Sequence, residues 1–508
     1  MSVPCRHLKI CLLPVVAALL PAGLLPAQDF FLQAEGFDSH AELRWPQPAG
    51  PAPAQYVVWR SSGGSAFTAV RTVSDRTALD FTGYPGDSPV DYQYYVSAMN
   101  LVQQVVAVSD TITVTVSPAS DVALLDMVQR YTFRYFWDFA HPVSGMARER
   151  NTSGDVVTTG GTGFGVMAVL VGIERGFISR EQGLFRLLQL VSFLQIADRF
   201  HGVFPHWMDG NTGNVLPFSQ FDDGADLVET AFLMQGLLCA RAFFDAEDPY
   251  EDALRQAVTG LWEAVEWDFF RKNGSGVLYW HWSPNYGWQM NLPVRGYNEA
   301  LAVYLLAIAS PTHPVPASLW NTGWAGVNYA VNASWYGYPL EVGPSLGGPL
   351  FFSHYSFLGF DPRNKRDAFT NYFVRSRHHT LINRAYCMAN PLNNPGYGEN
   401  CWGLTASDNP WGYLAHEPGA GKDNGTIAPT AALSSMPYTP VESMAALKHF
   451  YRNLGASLWG PMGFYDAFNQ KVDWFADSYL AIDQGPILCM LENHRTGLLW
   501  NLFMSNPE

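Results

Sequence analysis

The sequence predicts a two-part chain, a small all-β sandwich followed by a long all-α domain of toroid type. Three observations carry this reading. With 508 residues, 48% of them hydrophobic, the chain exceeds one ordinary domain and can bury at least one large core. Residues 30–117 alternate apolar and polar in short runs such as AELRW, QYVVWR, YQYYVSAMN and TITVTV, with Gly, Pro, Asp and Ser between them. After a polar joint at Ser117, Pro118, Ala119 and Ser120 the period turns helical in DVALLDMVQRYTFRYFWDFA, where Leu124, Val128, Tyr131, Tyr135 and Phe139 recur at steps of three or four.

The first 27 residues place Arg6 and Lys9 before an apolar run that ends in small residues ahead of Gln28, the pattern of a cleaved signal peptide. Pro14 and Pro21 interrupt that run, and a membrane anchor needs about 20 apolar residues. The expectation is export to the periplasm or the extracellular space, with no membrane span. Removing residues 1–27 takes two of the 30 basic groups and none of the 45 acidic ones, so the mature chain is more acidic than the −15 of the whole. Nucleic acid and anionic polysaccharides are poor partners for that field, whereas a neutral glycan is indifferent to it. Cys239, Cys387, Cys401 and Cys489 remain after export at spacings that match no zinc or redox motif.

The expected units are therefore 1–27 as signal, 28–118 as the β-sandwich and 121–508 as the helical domain. In the first, Trp45 and the Tyr-x-Tyr-x-Val-x-Ala-x-Asn stretch from Tyr92 to Asn100 resemble a fibronectin type III sandwich. This segment carries no cluster of titratable groups and reads as a spacer or packing module. In the second, helical stretches are clearest at 163–175, 180–198, 224–245, 248–271, 296–309, 366–379 and 440–453. Long loops rich in Gly, Pro, Asn and Trp separate them, and loops of that length inside a compact domain carry function.

The sharpest chemical signal is FDDGADLVETAFLMQGLL, where Asp222, Asp226 and Glu229 fall at i, i+4 and i+7 and would share one helical face. Crowded carboxylates repel one another, and crowding raises a carboxyl pKa, which glycoside hydrolysis exploits to keep a proton for the leaving oxygen. A helix start capped by Asp222 or Asp223 accounts for those acids but poorly for Glu229, about two turns further on. Glu299 in RGYNEALAVYLLAIASP, preceded by Arg295, Tyr297 and Asn298, supplies the second carboxylate that both inverting and retaining mechanisms need. Loops such as HGVFPHWMDG, LYWHWSPNYGWQM, CWGLTASDNPWGY and VDWFADSYLAIDQGP mix Trp with Asp, Asn and His, as a glycan cleft requires. From these, His206, Trp282, Trp402, Trp411, Arg295, Tyr297 and Asp483 are the expected substrate contacts. No HExxH or comparable spacing supports a metal, and no phosphate-binding glycine loop or GxSxG occurs; neither metal nor cofactor is expected.

At these residues the chain resembles the glycoamylase-like family that includes bacterial endo-β-1,2-glucanases and sophorose-releasing hydrolases, and is related to the cyclising domain of cyclic β-1,2-glucan synthases. The resemblance runs through 121–508 on RYFWDFAHPVSGMARER, GTGFGVMAVLVGIERGFISREQ, DGADLVETAFLMQGLL, GYNEALAVYLLAIASPTHP, NCWGLTASDNPWGY, DNGTIAPTAALSSMPYTP and YLAIDQGPIL. It implies an (α/α)6 barrel, β-1,2-glucan or its oligosaccharides as substrate, and important acids at Asp222, Asp226, Glu229 and Glu299. It further implies hydrolysis with inversion, since the family's hydrolases invert and its cyclising domains retain. With Glu229 as general acid, Glu299 would activate water. A transglycosylase or phosphorylase on the same glucan, or a noncatalytic glycan-binding protein, remains the alternative.

Overall fold

The computed structural model describes residues 30–508; the expected signal segment, with Cys5 and Cys11, lies outside the described residues. The described residues fold as two compact units, one of 30–35, 42–80 and 91–115, the other of 36–41, 81–90 and 116–508.

The amino-terminal region is antiparallel β-structure. Its strands are β1 (Gln33–Gly36), β2 (His40–Arg44), β3 (Gln55–Ser62), β4 (Thr68–Val73), β5 (Thr77–Phe81), β6 (Val90–Met99), β7 (Val105–Val108) and β8 (Ile112–Val116). They form one sheet of order β1-β2-β5 and another of order β4-β3-β6-β7, with β8 also paired to β6. Along β3 the buried Tyr56 and Val58 alternate with less buried neighbours, the period-two signature of a strand with one face inward.

From Asp121 onward the chain is largely helical: α1 (Asp121–Trp137), α2 (Thr159–Glu174), α3 (Arg180–Ile196), α4 (Leu227–Phe243), α5 (Pro249–Glu263), α6 (Leu301–Ala309), α7 (Tyr372–Ala389), α8 (Pro429–Leu433), α9 (Pro440–Leu458), α10 (Ala481–Arg495) and α11 (Leu498–Met504). Among the described residues no helix is long and apolar enough to cross a membrane. Helices α8, α10, α2, α4 and α6 are successive neighbours, and α1, α3, α5, α9 and α11 pack against members of this row or one another. The row members α2 and α4 are nearly all buried, so they show no polar face, whereas α5 keeps a buried stripe of Leu254, Val258, Leu261 and Trp262.

Glycine lets the central helices touch backbone to backbone. A Cβ on Gly163 would stand 2.1 Å from Phe232 O, and one on Gly236 would stand 2.1 Å from Gly163 O. Gly163→Ala must therefore push α2 from α4. It is expected to cost about 1–3 kcal/mol or more, seen as a lowered midpoint in thermal unfolding.

The long loops hold short hairpins that the sequence did not signal. These are β9 (Val156–Thr158), β10 (Trp207–Asp209) and β11 (Val215–Leu216) in one sheet; β12 (Ala225–Asp226) with β14 (His281–Trp282); β13 (Leu278–Tyr279) with β15 (Pro293–Val294); β16 (Ala330–Trp335) with β17 (Tyr338–Val342); and β18 (Ala406–Asn409) with β19 (Gly412–Ala415). Two-residue strands are too short to leave a periodic trace. Two expected helices start late: α4 begins at Leu227, directly after β12, and α6 at Leu301, after a run of turns. The stretch expected at 248–271 ends as α-helix at Glu263, and that expected from 366 begins at Tyr372.

Candidate active site

The local fold corrects the expected helical stripe of three acids. Asp222 lies before the helix, Asp226 is the N-cap of α4, and Glu229 sits in its first turn. Asp226 Oδ1 accepts hydrogen bonds from the backbone N–H of Val228 and Glu229, each at 3.0 Å, which satisfies donors the helix start leaves open. The segment before Asp226 is extended because Ala225 and Asp226 pair with Trp282 and His281. That register sets Asp226 directly opposite His281.

Four side chains meet there. His206 Nδ1 lies 2.9 Å from Asp226 Oδ2 and 4.0 Å from Asp222 Oδ2; His281 Nε2 lies 3.2 Å from Asp222 Oδ2 and 3.5 Å from Asp226 Oδ2. Burial opposes the charge on both histidines, but the carboxylates around them outweigh it and raise each to about 9: Glu229, Asp226 and Asp222 for His206, Asp222 and Asp226 for His281. Against the penalty of complete burial, the same two imidazoles hold the Asp226 carboxyl well below its ordinary value.

Glu229 Oε2 accepts the Gly160 N–H at 2.7 Å, so the start of α2 serves the acid at the start of α4. Even so, burial, with the charges of Asp226 and Asp222, raises the Glu229 pKa against the pull of His206 and Gly160. Glu299, just before α6, is half-buried, and burial together with the charges of Glu229 and Asp226 pushes it to about 7. The sign of this shift makes a prediction. A carboxyl raised in the folded state contributes stability that is present below its ordinary pKa and lost as pH rises through about 7. Glu299→Gln is therefore expected to raise the thermal midpoint at pH 8 relative to the parent protein and to change it little at pH 4, measured by calorimetry.

A second carboxylate group centres on Asp483, which the sequence placed in a loop and which lies in the first turn of α10. Asp466 and Asp483 are both buried, and Asp466 Oδ2 accepts the Asp408 N–H at 2.7 Å. Burial first, then negative neighbours, raises Asp466 to about 7 and Asp483 well above the usual carboxylate range. Asp408 in turn is held by Ser478 Oγ at 2.6 Å and by Arg150 Nη1 at 3.2 and 3.3 Å. The Tyr355 hydroxyl is buried and has no hydrogen-bond partner among the described residues; burial, then the charges of Asp483, Tyr413, Glu299 and Glu229, raises its pKa well above the ordinary value.

The remaining expected contacts divide. His206 joins the site, with Phe218 stacked on it at 4.2 Å between ring centroids and half exposed. Trp411 is 65% exposed at the turn between β18 and β19, and Tyr413 follows it. Trp282 is next to His281 on a strand, so it faces the other way, onto His201 and Phe269. Trp402 is wholly buried and presents no ring face to a ligand; Tyr297 is buried under the Arg375 guanidinium, 3.6 Å from its centroid, while Arg295 is exposed. The four cysteines after the signal segment are buried and unpaired.

Sequence reasoning missed His281, Gly160 and Arg150. His281 was hidden in the aromatic run LYWHW; the alternation of a strand there was the available signal. The donor atoms of His206, Asp222 and Asp226 all lie within 4.8 Å of one another, close enough to hold a metal ion. His206 comes from a stretch apart from the run that holds Asp222 and Asp226, and no local pattern joins the two.

A family model described as putative glucoamylase matches residues 291–507. An exo-β-1,2-glucooligosaccharide sophorohydrolase (non-reducing end) of Parabacteroides distasonis is 43% identical over 96% of this chain and 71% of its own length. Among solved structures, β-1,2-glucanase from Parabacteroides distasonis superposes with a TM-score of 0.87 at 42% identity, covering 96% of this chain and 73% of that one. Endo-β-1,2-glucanase from Chitinophaga pinensis, solved with sophorotriose and glucose, gives 0.75 at 53% identity over 77% of this chain and 96% of that one.

Proposed function

The chain belongs to the glycoamylase family, among relatives named for β-1,2-glucan cleavage, and from that premise we propose that it hydrolyses β-1,2-glucan or its oligosaccharides. The observation that carries the chemistry is Glu299: a carboxyl at about 7 holds a proton near neutrality, as a general acid must.

The proposed reaction inverts the anomeric centre. Glu299 donates its proton to the glycosidic oxygen as the C1–O bond breaks. A water attacks C1 from the opposite face and passes a proton to the Asp466–Asp483 pair, with Asp483 as the receiving group. Asp483 suits this role because it is buried in the first turn of α10 against Asp466, which the Asp408 N–H anchors in turn. Asp222, Asp226, His206 and His281 present a charged, hydrogen-bonding wall to sugar hydroxyls, and Glu229 and Asp226 keep Glu299 protonated. This moves two roles expected from sequence: the acid passes from Glu229 to Glu299, and the base from Glu299 to Asp483.

The finer fold follows the same premise. The row α8, α10, α2, α4 and α6 is read as part of a closed (α/α)6 toroid with Glu229, Glu299 and Asp483 at helix starts facing one cleft. The amino-terminal sheets are read as a fibronectin type III-like module, and residues 1–27 as an export signal that puts the enzyme in the periplasm or outside the cell.

Linear β-1,2-glucan, β-1,3-glucan, cellulose oligosaccharides and starch, each incubated in phosphate-free buffer, test the substrate. New reducing ends are expected from β-1,2-glucan alone; cleavage of starch with β-1,2-glucan intact would refute the proposal. Proton transfer between carboxyls needs no metal, so hydrolysis is expected to persist in EDTA. A loss on chelation that added metal restores would count against this mechanism.

A further inference from the structure

One tryptophan stands apart from the rest. Of the 17 in the chain, all within the described residues, only Trp411 is exposed, at 65%, and it sits at the tip of the β18–β19 hairpin. Large aromatic rings are mostly drawn inside, so an indole held in the open needs a reason. We propose that Trp411 is a specificity residue: its ring is a stacking platform for a glucose unit beyond the one whose bond is cleaved, and the hairpin fixes that platform relative to Asp483. This rests on the proposed function.

The hairpin is tied to the acids by its own residues. Its strands pair in full from Ala406 with Ala415 to Asn409 with Gly412, and that register sets Tyr413 directly opposite Asp408. Residues paired in this way point to the same side of the sheet. On that side the Asp408 carboxylate accepts hydrogen bonds from Ser478 Oγ at 2.6 Å and from Arg150 Nη1 at 3.2 and 3.3 Å, while the Asp408 N–H donates to Asp466 Oδ2 at 2.7 Å. Arg150 also bridges through its backbone to Leu480, the N-cap of the helix that carries Asp483. Platform and base therefore share one brace. The turn is stiff as well: Asn409 Oδ1 accepts the Trp411 N–H at 3.0 Å, and Pro410 between them has its φ locked by its ring. A ring already held in place loses little entropy when a ligand stacks on it.

Tyr413 leads from the tip to the acids. It is 48% exposed, yet burial, then the charges of Asp483, Asp466 and Asp408, raises its hydroxyl pKa well above the ordinary value. A ring open along its length and enclosed at its hydroxyl lines the wall by which a chain reaches those acids. Two extended steps from Asp408 to Pro410 cover about 7 Å, so the indole stands outside the acid pair and not over it. A glucose unit presents C–H faces that suit an indole and hydroxyls that suit the polar groups deeper along the hairpin.

Linear β-1,2-gluco-oligosaccharides of increasing length, assayed one at a time, test the platform with Trp411→Ala and Trp411→Phe. The parent protein should gain kcat/KM with length. In Trp411→Ala the ratio of kcat/KM between the longest oligosaccharide and the shortest one cleaved should fall at least about tenfold, through KM and not kcat. Trp411→Phe, which keeps an aromatic face, should retain most of the ratio. A ratio unchanged in Trp411→Ala, or an equal loss at every length, would overturn the proposal. Binding separates this claim from the function on which it rests. The longest oligosaccharide, titrated by calorimetry into Glu299→Gln with and without Trp411→Ala, should bind at least about tenfold more weakly when the indole is gone. If the parent protein cleaves none of the oligosaccharides, the proposed function fails while this titration still decides the platform; equal affinity would overturn it.

Discussion

Glu299→Gln is expected to lower kcat on β-1,2-glucan by about 10²–10⁴-fold, the range that general acid catalysis contributes. The side chain keeps its shape and loses only the proton it can give. The loss should therefore shrink on a substrate with a nitrophenyl leaving group, which departs with little help from an acid. If Glu229 were the acid, Glu229→Gln would show that leaving-group dependence and Glu299→Gln would not. The pH profile supplies a second sign. Activity that needs a protonated Glu299 is present below its pKa and falls as pH rises through about 7. The Glu229 charge helps to raise Glu299, so Glu229→Gln should move the alkaline fall to lower pH.

Asp483→Asn is expected to cost a similar factor, about 10²–10⁴ in kcat, with a different pattern. Water still lacks a base whatever the leaving group, so the nitrophenyl substrate should not recover. Azide, a nucleophile that needs no deprotonation, should restore turnover and yield a glycosyl azide of inverted configuration. Recovery of Asp483→Asn with the nitrophenyl substrate, or azide without effect, would remove Asp483 from the role of base. Asp466 lies against it and accepts the Asp408 N–H, so the two carboxyls act as one unit.

The helices that bury broad apolar faces were legible from sequence, because packing forces the period of α1, α3 and α9. Their starts were less so. Two residues of strand at Ala225–Asp226 turn an expected helical stripe into a cap and a first-turn acid, and nothing in the local pattern distinguishes these. Helix α10 was read as a loop because Gly485 and Pro486 lie inside it; Pro486 falls in its second turn, and the flanking residues are buried. In the site, the acids stood out because charge in apolar segments needs a reason. Aromatic residues did not sort themselves: Trp402, Trp411 and Tyr297 look alike in sequence, and only tertiary packing decides that Trp411 is exposed and the other two buried. Arg150 and Gly160 serve partners more than sixty residues away, at Asp408 and Glu229, and such pairings leave no local trace.

The most direct test of the central claim is proton NMR of linear β-1,2-glucan during its first minutes with the enzyme in phosphate-free buffer. The account predicts new reducing ends that appear first as the α-anomer and then mutarotate, with none formed by Glu299→Gln. Glucan left intact by the parent protein, or a β-anomer formed first, would contradict it.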